Sequence, residues 1–225
     1  MKGYYKKQLA SSRLQKVYEL STARIRQYLK AELAYALSYI NQDDLVLDLG
    51  CGYGRQFPDL CSKAGFVVGI DSSAESLALG KAYLKELSNF LLIEMSARKL
   101  LFPDESFDVV LCLQNGISAF HIDKQKLILE AIRVTKRGGT ILFTSYSKKI
   151  WEERLKWFQL QSEAGLLGPI DDEKTGNGNI VCTDGFTAST VDEEMFRELI
   201  NRIPEIHTSI TEVDNSSIFC AIKRI

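Results

Sequence analysis

The chain has 225 residues, 28 Lys plus Arg against 29 Asp plus Glu, and a formal net charge of −1. A hydrophobic fraction of 45% beside a charged fraction of 25% is the balance of a globular domain and excludes a disordered, collagenous or coiled-coil chain. Near neutrality leaves no electrostatic footprint for nucleic acid or an acidic membrane, and no run approaches the ~18 apolar residues of a membrane span.

The opening MKGYYKKQLASSR carries charge but no apolar core of a secretory signal, so a soluble, cytoplasmic chain is expected. The five cysteines, Cys51, Cys61, Cys112, Cys182 and Cys220, are scattered and odd in number, with no Cys-x-x-Cys pair. With His121 and His207 the only histidines, a Cys/His cage is hard to build. No metal is expected, and the cysteines read as small buried hydrophobes.

Leu14, Val17, Tyr18, Ile25, Tyr28, Leu29, Leu33, Leu37 and Ile40 recur at three- and four-residue spacing, which predicts helix over the first 40 residues. Ser21-Thr22 is a candidate N-cap that divides this stretch in two. After the polar break 41–44 comes Leu45–Leu49, a short apolar run of the buried parallel-strand type, then Gly50-Cys51-Gly52-Tyr53-Gly54 and a helix over 55–64. Strand Phe66–Ile70 runs into Asp71, helix Ala74–Leu87 follows, and strands are predicted at Phe90–Met95 and Phe107–Leu113. Helix Lys124–Thr135 leads through a Gly138-Gly139 turn into strand Thr140–Tyr146. This alternation predicts an α/β fold with a doubly wound, mostly parallel sheet.

Beyond residue 147 the rhythm changes. Trp151, Leu155, Trp157, Phe158 and Leu160 suit a helix, residues 179–190 a strand pair or irregular lid, and 192–203 another helix. Asp214-Asn215 between two apolar runs signals a terminal hairpin. The expected organisation is one domain: an N-terminal helical lid (1–40), a ligand-binding core (41–147), a substrate-side insertion (148–203) and the hairpin (204–225).

The chemistry concentrates at residues 45–71. Glycines directly after a buried strand permit a tight turn and close approach of a ligand to the next helix. Asp71 ends the second strand 21 positions after Gly50, where a carboxylate meets ribose hydroxyls. The nicotinamide fingerprint fails, because its third glycine position is Arg55, and the P-loop pattern is absent. Asp48, two residues before Gly50, disfavours a pyrophosphate and suits a ligand with a cationic end.

Four segments in this order and spacing, Val46–Gly54, Val68–Asp71, Leu101–Val110 and Arg137–Gly139, resemble the class I S-adenosylmethionine-dependent methyltransferases over roughly residues 40–147. The resemblance implies a Rossmann-like seven-stranded sheet with an antiparallel last strand, which Ser217–Ile222 would supply. It also implies S-adenosyl-L-methionine as cofactor. The loop Gly50, Cys51, Gly52 and Gly54 would pass beneath its methionine portion, with Asp48 near the amino group and Asp71 on the ribose hydroxyls. Ser72 would lie against the adenine, and the Ala97 amide would read the ring. Ser96 departs from the acid usual in that family, since a serine hydroxyl accepts with less charge assistance. Leu113 and Gln114 would flank the transferable methyl group.

Asn115 reads either as an ordinary turn residue or as substrate-facing. Tyr18, Tyr28 and Tyr146 read as pocket walls or as packing, while His121 and Tyr146 are the candidate catalytic groups. Methyl transfer from a sulfonium has a neutral leaving group, so positioning matters more than a strong base. The Asn/Asp-Pro-Pro-aromatic motif of base amine methylation is absent, as is the Pro-Cys nucleophile of cytosine C5 chemistry. A small molecule is therefore the expected methyl acceptor. The alternatives are an RNA or protein methyltransferase, or a catalytically silent cofactor-binding subunit.

Overall fold

The computed structural model describes Tyr4 and residues 8–225. Among the described residues the first elements are the helices α1 (Ser12–Glu19) and α2 (Ala23–Leu37). Thr22 divides them as the N-cap of α2, its hydroxyl accepting from the Ile25 amide. Part of the expected N-terminal helix, residues 1–3 and 5–7, lies outside the described residues.

The core alternates β1 (Leu45–Leu49), α3 (Phe57–Lys63), β2 (Phe66–Asp71), α4 (Ala74–Tyr83), β3 (Phe90–Glu94) and β4 (Phe107–Cys112). It continues with α5 (Gly116–Ala119), α6 (Lys124–Val134) and β5 (Thr135–Tyr146). A 3-10 turn at Lys148–Ile150 opens α7 (Trp151–Glu163), followed by the two-residue strands β6 (Ile180–Val181) and β7 (Thr187–Ala188). The chain closes with α8 (Glu193–Ile200), β8 (Ile206–Val213) and β9 (Ser217–Arg224).

Seven strands form one sheet in the order β3-β2-β1-β4-β5-β9-β8. The first five pair in parallel, and β9 inserts antiparallel between β5 and β8. This is the expected Rossmann-like sheet with its antiparallel last strand. The β8–β9 turn carries Asp214 and Asn215 at φ 56° and 50°, as the hairpin signal requires.

Val46 to Leu49 are buried because helices cover both sheet faces. On one face Leu47, Ile70, Val110 and Phe143 pack with Leu127 and Ala131 of α6 and Phe196 of α8. On the other, Val46, Val67 and Leu111 pack with Leu33 of α2, Leu60 of α3 and Leu77 of α4. A third apolar cluster joins Val17 and Ile25 to Trp157, Phe158, Ile180 and Phe186, so the leading helices and the segment after β5 share one core. That core roofs the C-terminal edge of the sheet.

Two expectations are corrected. Gly138-Gly139 is not a turn ahead of a strand: β5 starts at Thr135, and the ladder jumps from Phe107↔Thr135 to Val109↔Thr140. The glycines lie in the resulting bulge, Gly138 at φ 75°. Helix α4 ends at Tyr83 instead of running to Leu87, where the Leu84 amide closes it onto the Gly80 carbonyl.

Candidate active site

Strand β1 lies between β2 and β4, so the connections from it leave in opposite directions and open a crevice at its C-terminal end. A cavity occupies that crevice. Asp48, Gly50, Cys51 and Gly52 line it from β1, Asp71 and Ser72 from β2, Ser96 and Ala97 after β3, and Leu113 and Gln114 after β4. Tyr18, His121 and Tyr146 face the same space.

The glycine loop folds back on the sheet, the Gly50 and Cys51 amides both donating to the Ile70 carbonyl at 2.8 and 3.0 Å. Gly50 and Gly52 sit at φ 78° and 58°, a region strained for residues with a side chain. A Cβ on Gly50 would meet the Phe120 ring at 2.6 Å, and one on Gly52 would meet Leu14 of α1 at 2.8 Å. The roof thus rests directly on bare backbone. Gly54 is not a cavity wall; it faces Leu84 and Phe57.

Asp71 organises the cavity floor. Its Oδ2 accepts from the Gly52 amide at 3.0 Å and its Oδ1 from the Ser73 amide at 2.8 Å. Ser73 in turn caps α4. A carboxylate has about four lone-pair sites, so these two amide bonds alone do not exhaust it. Asp48 is 5% exposed. Burial, then the Asp71 charge, push its carboxyl up to about 7, with the Arg55 guanidinium pulling the other way. Its charged form is held at a disadvantage that a cationic ligand group would relieve. Ser96 Oγ accepts from the Arg98 amide at 3.3 Å, closing a small turn.

Strand β4 ends in two successive left-handed residues, Gln114 at φ 51° and Asn115 at φ 61°. The first turns into the cavity: Gln114 Oε1 accepts from the Tyr18 hydroxyl at 2.6 Å. The second turns away. Asn115 donates to the Ser189 carbonyl at 2.8 Å and accepts from Ser145 Oγ at 2.8 Å, tying the segment after β7 to β5. Asn115 therefore does not line the cavity, and neither does Tyr28, which is 1% exposed and packs its ring 5.3 Å from that of Tyr146. The substrate-facing expectation for these two residues is corrected.

The candidate catalytic groups differ in state. Burial pushes the Tyr146 hydroxyl up to about 12, so it stays protonated and acts as a donor, not as a base. Burial and Lys124 lower His121 from its ordinary value, leaving a neutral imidazole at the rim.

Four polar residues that the sequence does not single out lie at the site or directly behind its walls. Glu32 of α2 is fully buried, accepting from the Gln114 amide and Tyr28 hydroxyl at 3.3 Å each. Arg154 of α7 is 1% exposed and lies 4.5 Å above the Tyr146 ring. Arg55 and Gln56, just after the last glycine, line the cavity, the Arg55 guanidinium 4.5 Å above the Tyr18 ring. The spacing Tyr28, Leu29, Glu32, Leu33 puts Glu32 on the apolar stripe of its helix, which is the signal that exposes it.

Removing the Tyr18 hydroxyl should loosen the roof. In Tyr18→Phe the Gln114 carbonyl loses its donor, at a cost of about 1 kcal/mol. Amide exchange in α1 is expected to accelerate about fivefold, and unchanged protection there would refute the latch.

A parallel sheet of this order, with a glycine loop after β1 and acids at the ends of β1 and β2, defines a nucleoside-binding domain of the class I methyltransferase type. Residues 46–139 match the profile of the Methyltransferase domain family. Among curated relatives, the ubiquinone/menaquinone biosynthesis C-methyltransferase UbiE of Vibrio vulnificus is 30% identical over 126 residues, 52% of this chain and 46% of that one. The chain thus aligns with about half the length of the curated relatives it matches. A methyltransferase of Aquifex aeolicus shares the fold at TM-score 0.62 and 16% identity, over 94% of this chain and 98% of that one. DhpI, in a complex with S-adenosylmethionine, does so at TM-score 0.64 and 19% identity, over 98% and 94%.

The residues fit that cofactor. A buried acid whose charged form is disfavoured, two glycines at which a side chain would fill the approach, and an acid at the end of β2 match an ammonium, a close-packed chain and a ribose.

Proposed function

We propose that this chain transfers the methyl group of S-adenosylmethionine to a small-molecule acceptor held beneath the roof of α1, α7 and the segment after it. The observation that carries this reading is the roof itself: Leu14, Val17, Tyr18, Trp157, Phe158 and Phe186 close over the cavity with aromatic and aliphatic surface. An enclosed apolar wall suits a compact organic acceptor better than a nucleic acid strand, which needs a basic track. The activity of the UbiE relatives, C-methylation in ubiquinone/menaquinone biosynthesis, supports a small acceptor with a carbon nucleophile.

Bound there, the cofactor supplies a methyl group on a sulfonium that leaves as a neutral thioether. Asp48 holds the amino group, Asp71 the ribose hydroxyls, and Ser72, Ser96 and Ala97 border the adenine. Cys51, Gly50 and Gly52 supply the floor. Leu113 and Gln114 flank the methyl group, with Gln114 fixed by Tyr18. Tyr146 donates toward the acceptor, and His121 is the neutral base at the rim. In this reading residues 1–40 and 148–203 are the two halves of the acceptor lid, 41–147 the cofactor core and 204–225 its closing hairpin. A cytoplasmic setting belongs to the same proposal, supported by five free cysteines. Among the described residues no helix is long and apolar enough to cross a membrane.

The test combines calorimetry with turnover. S-adenosylmethionine is expected to bind in the micromolar range, and a panel of phenols, quinols and amines should yield S-adenosylhomocysteine with at least one member. Methyl incorporation confined to RNA or protein would reject the acceptor class, and absence of cofactor binding would reject the whole reading.

A further inference from the structure

The first residues past the glycine loop carry a donor set that the protein leaves unused. Arg55 Nε, Arg55 Nη2 and Gln56 Nε2 are buried, and none has a hydrogen-bond partner. Gln56 is 6% exposed, and both residues line the cavity. Buried donors without partners are rare in folded proteins, and three from adjacent residues at one cavity wall call for a common explanation.

The surrounding charges narrow it. Arg55 lies close enough to Asp48 and Glu32 to favour their charged forms, yet neither acid bonds to the free nitrogens. Tyr18 covers one face of the guanidinium, which leaves its edge as the binding surface. A guanidinium edge presents planar, paired N–H groups that match the two oxygens of a carboxylate, and an amide N–H beside it adds a third donor.

We propose that Arg55 and Gln56 form a carboxylate site, and that its ligand is the carboxylate on the amino-acid end of the cofactor. This rests on the methyltransferase reading, because it pairs with Asp48. In an α-amino acid the ammonium and carboxylate share one carbon, so the group holding one fixes the other within a few ångströms. Asp48 and the Arg55–Gln56 pair, on opposite sides of the same loop, recognise the two ends of one zwitterion. A ligand lacking either charge leaves a buried group unpaired, which makes the site selective for the intact amino acid.

Three ligands test this by calorimetry on the full chain: S-adenosylhomocysteine, its decarboxylated analogue (amine kept, carboxylate absent) and 5′-methylthioadenosine (neither). The wild type should prefer S-adenosylhomocysteine over the decarboxylated analogue by about 10- to 100-fold. Arg55→Met should abolish that preference by weakening S-adenosylhomocysteine alone, and Gln56→Leu should weaken it about threefold to tenfold. Arg55→Lys keeps the charge but not the fork, and should recover part of the loss; it also serves if Arg55→Met does not fold. If Arg55→Met weakens all three ligands equally, or none, the proposal is overturned. In the second case the guanidinium serves an anion on the acceptor. If the wild type binds none of the three, the cofactor reading falls, and this proposal with it.

Discussion

Asp71→Ala is expected to weaken S-adenosylhomocysteine binding by about 100-fold or more, because one carboxylate performs two tasks. It already holds the Gly52 and Ser73 amides, which sets the register of the glycine loop against α4. In the proposed complex its remaining lone pairs take the ribose hydroxyls as charge-assisted bonds. The two contributions separate experimentally. Asp71→Asn keeps one acceptor oxygen and should lose only about tenfold. In a double-mutant cycle, 2′-deoxy-S-adenosylhomocysteine should bind the wild type more weakly than the parent ligand, and Asp71→Ala should erase that difference. A difference that survives in Asp71→Ala would assign the carboxylate to the loop alone. An affinity unchanged by Asp71→Ala would remove the nucleoside from this crevice.

Where sequence and structure agree, the signal is local. Leu45–Leu49 declares itself by a short apolar run, broken only by Asp48 and bounded by Asp44 and Gly50. Thr22 declares the start of α2 because a hydroxyl there satisfies an orphan amide, and Asp214-Asn215 declare the hairpin because both tolerate left-handed backbone. Where they part, the cause is tertiary. Arg154 reads as a solvated charge of an amphipathic helix, and only the packing of α7 shows it buried. Lys136-Arg137-Gly138-Gly139 has the composition of a turn, yet Phe107 of β4 reaches past it to pair with Thr135. Asn115 neighbours Gln114, but its left-handed backbone aims it at Ser145 and Ser189 instead of the cavity. The roof was the least legible part. Its contacts, such as Trp157 Nε1 to the Val17 carbonyl at 3.0 Å and the Tyr4–Phe186 ring pair, join segments more than a hundred residues apart.

Raising the pH from 5.5 to 8 is expected to destabilise the ligand-free protein, and Asp48→Asn should remove a large part of that loss. Burial holds the carboxyls of Asp48 and Glu32 up at about 7, against ordinary values near 4. Below pH 4 both are protonated in folded and unfolded chains alike, so the stability is fully present. Between 4 and 7 the unfolded chain gives up its protons while the folded chain keeps them, so stability falls as pH rises, and above 7 the loss is complete. The scale over the whole window is roughly 3 to 4 kcal/mol for each carboxylate, equivalent to several degrees in melting temperature for a chain of this size. Asp71 raises the Asp48 value, while Arg55 opposes it there and, with the Gln114 amide, Thr144 and Tyr28, at Glu32. Both Asp48→Asn and Glu32→Gln should therefore melt higher than the wild type at pH 8, by less at pH 5.5, and differ little from it only near pH 4. Binding tells the two acids apart. An ammonium needs Asp48 ionised, so wild-type affinity for S-adenosylhomocysteine should rise about tenfold from pH 6 to 8, with proton release on binding. Asp48→Asn should bind weakly and without that rise, whereas Glu32→Gln should keep it. Equal wild-type melting at pH 5.5 and 8, or an Asp48→Asn variant that keeps the pH-dependent affinity, would contradict the account. The instability of Asp48 in the empty site is then the same property that selects a cation when the site is filled.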